Sequence, residues 1–237
     1  MKIIGYSERG AMNALFYGMA LDCENGKNAM KKFLEIASIE EVGKYVDFDL
    51  FIEFSLSEFG SPDLAIVART EEETKEVFFI EAKASCEKHF DLAVQKKHHI
   101  DYMEKGNYGD GHASNLFFQL RQKNYFFEKE VKKHEIKDLH ERLRNSRGRE
   151  RSIGTNGVVR KFIDELQCDK AHFIAIIPDD KEIHEYNGKS FHEMTAIHFV
   201  TWEEIKDTEC LKKYVDYTID FNQSKKKGKS ISQILNN

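Results

Sequence analysis

The chain is poor in the signatures of the commoner catalytic and metal-binding classes. Its four cysteines, Cys23, Cys86, Cys168 and Cys210, form no CxxC pair. That excludes a zinc ribbon or dithiol redox motif, and with no secretory pattern around them they read as reduced thiols of a cytoplasmic protein. No HxH or HExxH spacing occurs, so His89, His98 and His99 read as surface imidazoles. There is no GxxxxGK either, and the glycine-rich GNYGDGH of residues 106–112 reads as a turn or flap instead of a phosphate loop. The apolar run Ala11 to Leu21 is too short to span a bilayer, and it follows Glu8-Arg9 with no convincing cleavage site after it. Neither a membrane anchor nor a signal peptide is expected. Positive charge is not in excess: the net charge is -5 and the pI about 6.1. A surface for nucleic acid would therefore have to be local.

What is present is ample material for a core, 41% hydrophobic residues with eighteen phenylalanines in 237 residues. No internal repeat divides the chain, and we expect one domain over 1–237, with a helical and basic insertion around 131–169 and a peripheral region from 203 to 237. Ser7 can cap a helix to about Leu21 with the stripe Met12, Leu15, Phe16 and Met19, and a short helix around Met30 to Ala37 follows. From Val46 to Leu56 apolar and acidic residues alternate, as in a strand with one buried face. Residues 86–105 keep helical register, and Ser114 can cap a further helix to about Lys132. A helix from about Asn156 to Leu166 precedes the apolar run Ala171 to Ile177, suited to an interior strand. Another strand, Ala196 to Val200, ends in Thr201 and Glu204 at capping-box spacing.

The most informative stretch is Ser61 to Lys83, SPDLAIVARTEEETKEVFFIEAK. Two β-prone arms, Leu64 to Ala68 and Val77 to Ile80, flank the polar link Arg69 to Glu76. Folding them antiparallel about Glu72 sets Asp63 opposite Glu81, and alternation along the second arm sends Glu81 and Lys83 to one face. Two carboxylates and an ammonium then converge at the ends of apolar strands. Such acids repel one another and lose hydration unless a proton or a cation intervenes. A hard ion with oxygen ligands would resolve the conflict. The alternative is a turn-starting Asp63 and a solvated cross-strand patch of Glu81 with Lys83.

Pro62-Asp63, seventeen intervening residues and Glu81-Ala82-Lys83 resemble the signature of the PD-(D/E)xK nuclease superfamily. Glu-x-Lys recurs elsewhere in the chain, but only here does it follow strand, polar turn and strand. The resemblance implies an α/β (α+β) fold with a restriction-endonuclease-like αβββαβ core, a mixed central sheet flanked by helices. It also implies metal-dependent hydrolysis of phosphodiester bonds in nucleic acid, DNA before RNA, with Mg²⁺, or Mn²⁺ in its place. Asp63, Glu81 and the carbonyl of Ala82 would hold the metal, and Lys83 would act on the attacking water or the transition-state charge. Glu8 is the third-carboxylate candidate, because in the superfamily a first-helix acid often joins the site. A first-turn Glu equally suits the helix dipole, and Glu53 is the substitute. Gln119 or Gln122 would neighbour the site, since Gln122 to Phe126 is a near match, without the hydroxyl, to a Gln-x-x-x-Tyr found in some branches. Five of the nine arginines, Arg142, Arg144, Arg147, Arg149 and Arg151, crowd into RLRNSRGRER and form the candidate phosphate-backbone surface, read as flexible before binding. A homodimer is compatible with duplex cleavage. The alternative is a non-catalytic nucleic-acid-binding or regulatory protein that keeps the fold.

Overall fold

The computed structural model describes residues 8–52, 54–83, 92–105, 114–135, 143–145, 147–178 and 197–215. They build a three-layer mixed α/β structure around one five-stranded open sheet. Strands β1 (Tyr45–Ile52), β2 (Leu64–Thr70), β3 (Lys75–Ala82), β4 (Lys170–Ile177) and β5 (Ile197–Thr201) lie side by side in chain order. The first three form an antiparallel meander, and β4 and β5 continue the sheet parallel to β3. The change of direction at β3 follows from connection length. A four-residue polar link can only return the chain antiparallel, whereas the long segment between β3 and β4 can carry it back to start a parallel strand.

Alternation in β2 and β3 divides the core in two. Leu64, Ile66, Ala68, Phe78 and Ile80 face one layer, with α1 (Glu8–Leu21) and α2 (Gly26–Ile36). Ala65, Val67, Val77 and Phe79 face the other, with α4 (Leu116–Phe126) and α5 (Gly157–Leu166); α3 (Leu92–Lys105) packs beside α4. The helix starts follow local chemistry. Asn115 accepts from Phe118 N, Asn156 accepts from Val158 N and Val159 N, and α6 (Trp202–Asp207) begins at a complete capping box of Thr201 and Glu204. Among the described residues no helix is long and apolar enough to cross a membrane.

Two expectations need correction. The strand from Val46 ends at Ile52 and not at Leu56, because Ile52 pairs with Leu64 at the end of the ladder and the chain must then turn. It does so through a 3₁₀ turn, Ser57–Phe59, closed by Gly60 at φ 77° and by Leu56 N donating to Gly60 O at 2.8 Å. His99 is not a surface imidazole: it is 1% exposed and stacks on Phe117, while His98 is exposed and His89 lies outside the described residues. Burial, with Arg121 nearby, pushes the His99 imidazole down to about 3. In the arginine-rich stretch, residues 143–145 and 147–151 are joined by backbone and Asn145 hydrogen bonds in a turn.

Candidate active site

The β2–β3 ladder runs Leu64↔Ile80 through Arg69↔Lys75, so each pair of numbers sums to the same value and Asp63 falls next in line with Glu81. Asp63, Glu81 and Lys83 share the parity of Ala65 and Phe79, which places them on the α4 side of the sheet. The contact between the two arms is direct. Asp63 Oδ2 accepts from Ala82 N at 2.8 Å, which fixes the aspartate across the end of β3. Lys83 N donates to Ile176 O at 2.8 Å and the Trp202 indole donates to Lys83 O at 2.9 Å, so the backbone of Lys83 is held by β4 and α6.

Glu81 is completely buried. Its nearest cation is Lys123 on α4, with Nζ 3.0 Å from Oε1 and only 1% of the lysine side chain exposed. Lys123 also donates to Phe59 O at 3.3 Å, which ties the pair to the turn before Asp63. Burial pushes the Glu81 carboxyl up to about 7 against the pull of Lys123, with Asp63 adding to the rise and Lys83 opposing it. Those couplings put all four charges within electrostatic reach of one another.

Gln122 is buried beside Lys123. A Cβ on Gly60 would lie 3.1 Å from Gln122 Oε1 and 3.2 Å from Lys123 Nζ, so both side chains close over the glycine. Gln119, on the same helix, is half-buried, with its carbonyl oxygen sealed from solvent. Glu8 is the first residue of α1, whose apolar stripe packs on the opposite layer; its side chain, like Glu53, lies outside the described residues. Arg142 also lies outside them.

Would a divalent cation fit? Two carboxylates meet at the end of adjacent strands, and Asp63 spends one oxygen on a backbone amide. Neither Glu81 oxygen accepts a well-aligned hydrogen bond, although both are buried. Hard anionic oxygens with unused lone pairs suit Mg²⁺ or Mn²⁺. Among the described residues no group of three or more His, Cys, Asp and Glu is poised to hold a metal ion. Of the expected donors, the structure brings Asp63 and Glu81 within electrostatic reach of each other.

The arginine-rich stretch forms a small hairpin. Arg144 bridges antiparallel to Glu150, Arg151 N donates to Leu143 O, and Asn145 Oδ1 accepts from Arg147 N and Arg149 N, with Gly148 at φ 71°. Arg144, Arg147 and Arg149 are exposed. Arg151 instead works inside the structure, donating to Glu58 O and lying over the Phe118 ring.

A second charged cluster sits at the other end of the sheet. Glu76 accepts from Lys44 at 2.6 Å, from Tyr45 at 2.8 Å and pairs with His172 at 2.6 Å. Nothing in the sequence joined residues so far apart.

Comparison with protein-family models, with curated proteins and with solved structures finds no match to this chain.

Proposed function

We propose that this chain is a metal-dependent nuclease with a restriction-endonuclease-like core, hydrolysing phosphodiester bonds of nucleic acid, DNA before RNA. The observation that carries the reading is the meeting of Asp63 and Glu81 at one strand end, on one face, with Lys83 two residues further on. The order helix, antiparallel meander, helix and parallel strand agrees with the αβββαβ pattern.

In this reading Asp63, Glu81 and the Ala82 carbonyl, with Glu8 as a further candidate, would hold Mg²⁺ or Mn²⁺. Such an ion supplies Lewis-acid polarisation of a phosphoryl oxygen and lowers the pKa of a bound water. Lys83 offers a cation at the edge of the pair, half-exposed, where it can orient the attacking water or meet the charge that develops on phosphorus oxygens. Asp63 is held by the Ala82 amide, so its free oxygen keeps one direction. Lys123 keeps Glu81 paired. The exposed guanidiniums of Arg144, Arg147 and Arg149 supply contacts to the phosphate backbone, which set register without reading sequence.

One observation favours a second reading. Glu81 is already neutralised by a lysine and sealed from solvent, as in a structural ion pair, so the same fold could bind nucleic acid without cutting it. The test is incubation with labelled single- and double-stranded DNA and RNA in Mg²⁺, Mn²⁺ or EDTA, beside Lys83→Ala. Metal-dependent cleavage lost in the variant supports the nuclease. Salt-dependent retention without cleavage, and no heat of Mg²⁺ or Mn²⁺ binding by calorimetry, supports the second reading.

A further inference from the structure

The arginine hairpin is not a free loop. The Glu58 carboxylate accepts from Asn145 Nδ2 at 2.9 Å through one oxygen and from Ser152 N at 2.9 Å through the other. The same turn receives Arg151 on Glu58 O, and Ser57 Oγ donates to Ile153 O at 3.2 Å. One acidic side chain therefore clamps the hairpin at the start of its turn and at its exit. Asn145 also organises the turn from within through its bonds to Arg147 N and Arg149 N.

The other acid of the hairpin is occupied. Glu150 pairs with Lys129 at 2.9 Å and accepts from Tyr125 at 2.7 Å. Among the described residues no ion pair within 4.0 Å forms on Arg144, Arg147 or Arg149, and the three guanidiniums stand exposed, with Arg149 near enough to help lower the Glu58 carboxyl. The clamp also places them relative to the acids. Glu58 belongs to the Ser57–Phe59 turn, Lys123 grips the next residue through Phe59 O, and four residues beyond Phe59 the chain reaches Asp63.

We propose that Glu58 is a positioning residue for a nucleic-acid phosphate backbone: it holds Arg144, Arg147 and Arg149 as a preformed cradle on the turn that leads into Asp63. The inference rests on the nuclease reading and names how that site receives its substrate. It has a consequence opposite in sign to simple electrostatics. Removing an acid from a phosphate-binding surface ordinarily strengthens binding by lessening repulsion. Here removal frees the arginines to scatter, so binding weakens.

The experiment is fluorescence anisotropy with a short labelled DNA duplex in EDTA, across a salt series, so that no cleavage intervenes. Glu58→Ala should weaken binding by about three-fold or more, the scale of removing one phosphate-bound cation. Its effect should vanish in a background of Arg144→Ala, Arg147→Ala and Arg149→Ala, because a residue acting only through those arginines has nothing left to position. Asn145→Ala removes the bond to Glu58 together with the bonds from Arg147 N and Arg149 N, leaves the charge unchanged, and should weaken binding in the same direction; it serves if Glu58→Ala does not fold. Glu58→Ala binding as well as or better than wild type, or an effect that persists in full without the arginines, would overturn the proposal while leaving the nuclease reading intact. Wild-type protein with no salt-dependent binding to the duplex would remove the reading on which the proposal stands.

Discussion

Glu81 and Lys123 face each other at 3.0 Å with 0% and 1% of their side chains exposed, a charge pair in the layer between sheet and helix. Taking both ions out of water costs several kcal/mol each, and their attraction repays this only with good geometry and further hydrogen bonds. The Glu81 oxygens lack those bonds. A pair so placed contributes little net stability compared with apolar residues of similar volume, which is why its presence argues for a task.

The pair gives the first prediction. Lys123→Met leaves the fully buried Glu81 without its cation, which pushes its carboxyl further up, and should cost about 3 to 5 kcal/mol at pH 8. Adding Glu81→Gln removes the unpartnered acid and should return most of that loss. Urea midpoints of the two single variants and the double variant measure this directly. Losses that simply add would mean that the two residues do not act as a unit.

Lys83 and Asp63 should separate chemistry from folding. Lys83 and Asp63 are both half-exposed, so neither substitution opens a cavity. Lys83→Ala should lower the cleavage rate by about 10²- to 10³-fold, the scale of removing one donor to a developing negative charge. Asp63→Asn should lower it at least as far. Circular dichroism melts and duplex retention should stay close to wild type. A Lys83→Ala variant that cleaves at the wild-type rate would dismiss the mechanism.

The hairpin register was legible in the sequence because alternation and a short polar link leave little freedom: pairing Asp63 with Glu81 needs only the position of the turn. The capping box at Thr201 and the interior strand Lys170–Ile177 were equally local signals. Lys123 was not. It lies in LRQKNY, four consecutive polar or charged side chains between apolar ones, and such a run ordinarily marks a helix face in water. In the structure α4 is covered on nearly every side, so Arg121, Gln122, Lys123 and Asn124 are all buried. The signal that could have found Lys123 was the chemistry itself, since a buried Glu81 demands a cation beyond Lys83. The clamp on the arginine turn was hidden for another reason. It joins Glu58 to Asn145 and Ser152 across almost a hundred residues, and no periodicity encodes a contact of that range.

The exposed arginines should set the salt dependence of binding. Each guanidinium that meets a phosphate releases counterions, so removing Arg144, Arg147 and Arg149 together should reduce the slope of log K against log salt by up to about three. The loss should be similar for unrelated duplex sequences, because phosphate contacts carry no sequence information. A loss confined to one sequence would place these side chains on base edges instead.

Glu76 governs acid stability. Burial alone would raise its carboxyl, but hydrogen bonds from Lys44, His172 and Tyr45 outweigh it and hold the group down at about 2, against an ordinary 4.5. The unfolded chain therefore takes up this proton first as pH falls. The stabilisation is complete above about pH 4.5, is lost between there and pH 2, and amounts to about 3 kcal/mol at most. His172 acts in the same direction. Burial lowers its pKa against the pull of Glu76, so the unfolded imidazole protonates first and stability begins to slip as pH drops through about 6.5. Glu76→Gln should be less stable than wild type at pH 7 and converge on it near pH 2, with a flatter decline between. Denaturant midpoints at pH 7, 4.5 and 3 measure the two curves, and parallel curves would show that acid sensitivity arises elsewhere in the molecule.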